Sequence, residues 1–335
     1  MARYDFASDN TAPAAPEAME AVLAANSGFT PGYGSDTVTA RAADTVRAAL
    51  DADAEVRFLA SGTAANAISL ATLCRPFEAV IAHEHAHICT DETGAPGFFG
   101  QGLGLIGLAG ASGRLDPAAL EGPLAAPDLA HRQSAAALSL TNATEYGTVY
   151  SVDALSALIA PAKAKGLGIH LDGARLANAA AAGFDLKAIG RLGVDILVLG
   201  GTKAGMSPTE AVAIFDRGLA HRFDARLKQA GQLPSKTRFY AAPFIGMLES
   251  GAFLRHAGHA NAMARRLADA MPFPLRHPVE ANAVFVEMDD ARLSALHAAG
   301  WFVYRFLDGS VRFMCSWATT PEAVDELAEA LRAIA

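Results

Sequence analysis

The chain is short of cysteine. Cys74, Cys89 and Cys315 are the only three in 335 residues, and none forms a Cys-x-x-Cys pair. That excludes a secreted disulfide framework and points to a reducing compartment. Charge is also sparse, at 19% of residues, and leans acidic: 27 basic side chains against 35 acidic, a formal −8. No basic stripe is available for a phosphate backbone, so nucleic acid is not an expected partner. The same sign disfavours an anionic membrane surface. No apolar run reaches the roughly 18 residues that span a bilayer. The N-terminal MARYDFASDNTAPAAPEAM lacks the apolar core of a signal peptide. These absences together place the protein in the cytoplasm. What is abundant is apolar surface, at 52% of residues, the reverse of a disordered composition. The length suits one large domain and a smaller one.

Alanine-rich helical stretches alternate with short β-rich runs. Residues 13–25, 38–50 and 63–73 read as helices. VRFLASG (56–62), EAVIAHEH (78–85), SAAALSLTNAT (134–144), GLGIHLDGAR (166–175) and VDILVLGGTK (194–203) read as strands that run into turns. Ser151 is placed to cap the helix that follows it. This alternation predicts an α/β domain with a mainly parallel sheet. After a long helical stretch near 241–271, three prolines in MPFPLRHP punctuate the chain. ANAVFVEMD and VRFMCSW then read as strands of a smaller sheet, with helices at 290–299 and 321–334. The expected division is a large domain over 1–245, including the N-terminal segment, and a small C-terminal α/β domain over 246–335.

In a parallel α/β sheet, ligands collect at the carboxyl ends of the strands. Three such ends carry chemistry: Ser61-Gly62-Thr63, Asp172-Gly173-Ala174-Arg175 and Thr202-Lys203. At the first, Gly62 lets the backbone turn, and free N–H groups at a helix start suit a phosphate, although a plain helix cap explains Ser61 and Thr63 equally well. Asp172 closes an apolar strand, where a carboxylate needs a cation, a metal or several donors. Lys203 closes a later strand. Either alone reads as a solvated strand-end charge. Together with the phosphate turn they suit one ligand that has a phosphate, a carbonyl and a basic ring nitrogen, as pyridoxal phosphate does.

Seven stretches make the chain similar to a known family: SDNT (8–11), GYGSDTVT (32–39), ASGTAANAI (60–68), HAHICTDETGAP (85–96), HLDGARLANA (170–179), GGTKAGM (200–206) and VRFMCSW (311–317). They resemble the pyridoxal-phosphate-dependent, low-specificity L-threonine aldolases of the β-eliminating-lyase family, nearly end to end. The resemblance implies a fold-type I architecture. It also implies retro-aldol cleavage of threonine, allo-threonine or related β-hydroxy-α-amino acids, such as phenylserine, to glycine and an aldehyde. By the same likeness Lys203 forms the Schiff base, Asp172 pairs with the pyridinium nitrogen and Arg175 sits near the ring oxygen. Gly62 and Thr63 hold the phosphate, and His87 stacks on the ring and acts near the substrate hydroxyl. Ser8 and Arg312 bind the substrate carboxylate. Tyr33 and Arg238 reach a neighbouring subunit's site within a homotetramer built as a dimer of dimers. His131, eleven positions before Asn142, is the hydroxyl-contacting histidine, a second candidate base beside His87, and Glu92 is a further candidate. Arg175 and Tyr33 also serve the substrate. Ala177 replaces a bulky aromatic and is expected to widen the pocket.

Other motifs compete. His83-Glu84-His85-Ala86-His87 matches H-E-x-x-H, which binds zinc only from a helix; here it follows a strand-like run, so no metal is expected. Gly102–Gly107 matches G-x-G-x-x-G but lacks a following helix, so the dinucleotide reading is set aside. Phe98-Phe99 and the cysteines read as packing. Two functional alternatives remain at this stage. One is a pyridoxal-phosphate-dependent β-eliminating lyase or aminotransferase acting on a small amino acid, and the other is a zinc hydrolase.

Overall fold

A computed structural model describes residues 2–335. Ten strands form two sheets. They are β1 (Glu55–Leu59), β2 (Glu78–His83), β3 (Gly104–Leu108), β4 (Ser134–Thr141), β5 (Gly168–Gly173), β6 (Ile196–Gly200), β7 (Glu210–Ile214), β8 (Ala283–Val286), β9 (Tyr304–Arg305) and β10 (Val311–Met314). The first seven make one sheet in the order β1-β7-β6-β5-β4-β2-β3, and the last three make a second in the order β8-β10-β9. Within the large sheet β6, β5, β4, β2 and β3 pair in parallel, while β7 runs antiparallel to both β1 and β6. The small sheet is wholly antiparallel.

The central strands β6 (ILVLG) and β7 (EAVAI) are buried at every position. Unbroken burial of this kind arises when helices cover both faces of a sheet. The helix Gly62–Leu73 shows the same condition: Ala64 through Thr72 are all buried. Its four alanines let it lie close to its neighbours, and Ser61 caps it by accepting the Ala64 amide. Ser151 caps Val152–Ala164 through the Ala154 amide, as expected. The stretch 241–271 is two helices, Arg238–Glu249 and Ala252–Asp269. They break at Gly251, whose φ of +70° lies in the left-handed region open to glycine. Residue 245 falls inside the first of them. Met247, Ala252 and Phe253 join the core under the large sheet, whereas Ala264 and Leu267 join the small-sheet core with Phe313, Val324 and Leu327.

The N-terminal segment ties the two sheets together. Phe6 is buried in the small-sheet core, and its carbonyl accepts the Met314 amide. Three residues on, Asp9 is buried and receives Arg175 in a fork, Nε to Oδ2 at 2.7 Å and Nη2 to Oδ1 at 3.1 Å. Asn282 Nδ2 donates to the same carboxylate at 3.2 Å. Burial alone would raise the Asp9 carboxyl, but Arg175 outweighs it and holds the group at about 2, below its ordinary 3.8.

Two strand-end turns meet backbone to backbone. A Cβ on Gly200 would lie 2.3 Å from the Ala174 carbonyl oxygen, so the end of β6 packs directly on the turn that follows Asp172. Gly200→Ala should therefore cost about 1–3 kcal/mol through overpacking, read as a lower urea midpoint. Asp9→Asn should cost about 3–5 kcal/mol at pH 7, because it leaves the Arg175 charge buried without its counter-charge. The Asp9 carboxyl is depressed in the fold, so its contribution is complete above about pH 4 and disappears as pH falls toward about 2. Urea curves at stepped pH should show the gap between the wild type and this variant narrowing over that window.

Candidate active site

Asp172 lies at the carboxyl end of β5, 3% exposed. Its oxygens take the Ala174 amide at 2.9 Å and Asn66 Nδ2 at 2.9 Å. Burial pushes its pKa up, but His170, Lys203 and the Ala174 amide more than offset that, so the carboxyl stays below its ordinary range and ionised. No cation of the described residues lies within 4.0 Å of it. His170, two residues back on the same face of the strand, is pushed down to about 4 by burial and stays neutral; its Nδ1 meets Ser139 Oγ at 2.9 Å and its Nε2 is buried without a partner. Asp172 is therefore a buried anion served by neutral donors.

Asn66 places the candidate phosphate site relative to this anion. It is four residues along from Gly62 on the same face of the helix Gly62–Leu73, an axial step of about 6 Å. A Cβ on Gly62 would meet nothing within 4 Å. The first turn of a twelve-residue helix thus offers its N–H groups to open space beside the buried acid. Gly62 and Thr63 open this turn.

Lys203 follows β6 in the short turn Thr202–Ala204 and forms no ion pair with the described residues. The backbone before it is held from below by Glu210, which accepts the Gly201 amide at 2.8 Å and which burial pushes up to about 7. Above lies a cleft of about 390 Å³, lined among others by Ser8, His87, Glu145, Arg175, Lys203 and Arg312. Arg312, on β10, is 5% exposed and its Nε is buried with no hydrogen-bond partner. Burial, then the nearby Arg175 charge, lower its pKa to about 10. Such a guanidinium favours an incoming anion. Ser8 caps a short turn beside it, accepting the Asn10 amide, and the Ala7 carbonyl just before it accepts Arg312 Nη2 at 3.4 Å.

His87 opens the short helix His87–Thr90, and its Nδ1 meets Glu92 Oε1 at 2.9 Å. That bond is the main reason its pKa is raised. Glu92 also takes Asn66 Nδ2 at 2.9 Å, so a continuous chain of hydrogen bonds runs from His87 through Glu92 and Asn66 to Asp172.

The structure thus brings Ser8, His87, Arg175, Lys203 and Arg312 to one cleft, with Asp172 beneath them. It does not bring His131 there. His131 is exposed and precedes Ser134, the first residue of β4, whereas the site lies beyond Thr141 at the other end, roughly 20–25 Å of strand away. The position was read from a spacing before Asn142 that runs back along the whole strand. Tyr33 and Arg238 also lie outside this chain's own cleft. Tyr33 is 54% exposed, and Arg238 donates to the Ala25 carbonyl and to Thr30 Oγ1. Ala177 is packed in the core rather than on the cleft wall, so its small size does not widen the cleft. His83, His85 and His87 go to three different partners, the Gly110 carbonyl, Tyr146 Oη and Glu92, and no group of three potential ligands able to hold a metal occurs among the described residues. Gly104–Leu108 is a strand, which removes the dinucleotide turn. Asp9, Asn66, Glu145 and Asn282 were missed. The signals available were the acid following Ser8 and the amide one turn after Gly62; nothing local marked Glu145 or Asn282.

A buried ionised carboxylate without a cation, a lysine without an anion and an open helix N-terminus fit pyridoxal phosphate. Asp172 would hold its ring nitrogen, Lys203 its aldehyde carbon, and Gly62 and Thr63 its phosphate.

Residues 5–291 match the profile of the family described as Beta-eliminating lyase. The low specificity L-threonine aldolase of Pseudomonas sp. (strain NCIMB 10558) is 46% identical over 337 residues, covering 98% of this chain and 97% of that protein. A solved structure of Leishmania major threonine aldolase superposes with a TM-score of 0.93 at 30% identity, covering 99% of this chain and all of the other. Thermus thermophilus aspartate aminotransferase, at 17% identity and a TM-score of 0.72 over 97% of this chain and 89% of that one, shares the fold alone. The fold is accordingly the type I fold of pyridoxal-phosphate enzymes, and the chain belongs to the beta-eliminating lyase family, on its threonine aldolase branch.

Proposed function

We propose that this protein is a pyridoxal-phosphate-dependent carbon–carbon lyase that cleaves L-threonine, L-allo-threonine or related β-hydroxy-α-amino acids to glycine and an aldehyde. The observation that carries this reading is the combination of the buried, cation-free Asp172 carboxylate with Lys203, which forms no ion pair with the described residues, in a cleft shared with Arg312, whose Nε has no acceptor. Bound pyridoxal phosphate supplies an aldehyde for the substrate amine and a cationic ring that accepts the electron pair released at Cα. The chain supplies the rest. Asp172 keeps a proton on the ring nitrogen, because its ionised oxygens gain a charged donor there. Arg312 and Ser8 fix the substrate carboxylate and so choose which bond at Cα stands free to break. Arg175, held by the Asp9 fork, keeps its guanidinium in the cleft wall. His87, oriented by Glu92, closes one face.

The assembly is proposed as a cytoplasmic homotetramer, a dimer of dimers with sites shared across the dimer. The exposed Tyr33, Arg238 outside its own cleft and the fully exposed Phe29 beside them support that arrangement. The division of the chain near residue 245 is proposed on the two separate sheets and cores. Among the described residues no helix is long and apolar enough to cross a membrane.

Lys203→Ala should lower turnover of threonine at least about 10³-fold, roughly 4 kcal/mol of barrier. The check is aldehyde and glycine release together with the visible absorbance of the purified protein; 2-oxobutanoate and ammonia as products would instead mark β-elimination of threonine. Arg312→Lys should raise KM for threonine by about tenfold or more, since one ammonium cannot reproduce the planar fork; steady-state kinetics with an unchanged KM would contradict the carboxylate role.

A further inference from the structure

We propose that Glu145 is the proton acceptor for the substrate's β-hydroxyl group. This rests on the aldol reading above and names the residue which that reading leaves open. Glu145 follows β4 on the turn beyond Asn142 and lines the cleft with His87, Arg175 and Lys203. Its side chain is 9% exposed, and the nearest cation, Arg175 Nη1, is 3.9 Å from Oε2, beyond hydrogen-bond reach. No described residue donates a hydrogen bond to its carboxylate. The other buried acids around the site are all engaged: Asp9 by Arg175 and Asn282, Glu92 by His87 and Asn66, Asp172 by Asn66 and the Ala174 amide. Asp91, also on the cleft wall, is exposed to solvent. A carboxylate more than nine-tenths buried, on the wall of the cleft and without a donor, lacks one partner, and a hydroxyl group is the donor that the substrate brings.

The turn is built to hold this position. The Thr144 amide donates to the Thr148 carbonyl at 2.9 Å, the two threonine hydroxyls meet at 2.8 Å, and Asn142 Oδ1 accepts the Tyr150 amide at 3.1 Å. Next in the chain, Tyr146 Oη meets His85 Nδ1 at 2.6 Å, and the ring packs 4.3 Å from His277. Glu145 is thus fixed by its neighbours on both sides, as a general base must be. His87 is the other candidate: Glu92 binds its Nδ1 and raises its pKa, which leaves Nε2 as an acceptor, but that ring is the one placed to close a face of the cofactor, whereas Glu145 has no other partner. With the substrate carboxylate on Arg312 and its amine toward Lys203, the β-hydroxyl proton passes to a Glu145 oxygen. The O–H electron pair becomes the aldehyde C=O bond, and the Cα–Cβ pair stays with the glycine fragment, which later takes a proton from solvent. Glu145 returns its proton to solvent as the aldehyde leaves, so the step closes without a co-reactant.

The test uses the holoenzyme and two reactions. Acetaldehyde release from L-threonine needs a hydroxyl base, whereas exchange of the glycine α-proton with D2O, followed by proton NMR, uses the same cofactor and lysine but no hydroxyl. Glu145→Gln should lower kcat for threonine by about 100-fold or more, with KM within about threefold and the visible spectrum unchanged. Glycine exchange should fall by no more than about threefold. Glu145→Asp, which keeps the carboxylate, should recover part of kcat. A kcat near the wild-type value, a parallel loss of glycine exchange, or an aspartate variant no faster than the glutamine variant would each overturn the assignment. A wild-type holoenzyme that exchanges glycine but releases no acetaldehyde would instead defeat the aldol reading itself, and this proposal with it.

Discussion

The site depends on one electrostatic constraint: Asp172 is buried, ionised and without a cation of its own. A carboxylate in that position is costly, and the fold carries it by surrounding it with neutral donors and distant positive charge rather than an ion pair. Asn66 and the Ala174 amide hold its oxygens, and neutral His170 stands behind it. The arrangement requires that the turns after β5 and β6 touch through backbone, which the absence of a Cβ at Gly200 permits. The result is an anion whose strongest partner must be a charged donor brought by a ligand.

Complementary logic holds for the cleft wall. Arg312 is a cation without a full complement of acceptors, carried there by the small sheet. Arg175 would be a second, but Asp9 neutralises it and at the same time locks the N-terminal segment, with Ser8, over the cleft. The two sheets and the N-terminal segment therefore meet at one buried fork. The site has a buried anion without a cation of its own and, on the cleft wall, a buried cation whose Nε has no acceptor, the polarity that a zwitterionic substrate joined to a cationic ring requires.

Much of this was readable from local pattern. The apolar runs ending in Asp172 and Lys203 announced parallel strands with their chemistry at the carboxyl ends, and β5 and β6 lie there. The pattern failed where partners are remote in sequence. The strand β7 is as apolar as β6, but its antiparallel direction follows from a tight return, not from composition. The helical stretch 241–271 breaks at a glycine that periodicity alone treats as one more small residue. Asp9 gains its meaning from Arg175, 166 positions away, and Glu145 from a cleft that exists only after folding. His131 was assigned by counting back from Asn142, and the count crossed a whole strand to the wrong end of the sheet.

The central claim is that Asp172 keeps the bound pyridine ring protonated. The most direct measurement is the nitrogen-15 chemical shift of ring-labelled pyridoxal phosphate in the holoenzyme, taken with the Asp172→Asn variant alongside. The account predicts a pyridinium shift in the wild type, unchanged across the neutral range, and a neutral-pyridine shift in the variant. A neutral ring nitrogen in the wild type would contradict it.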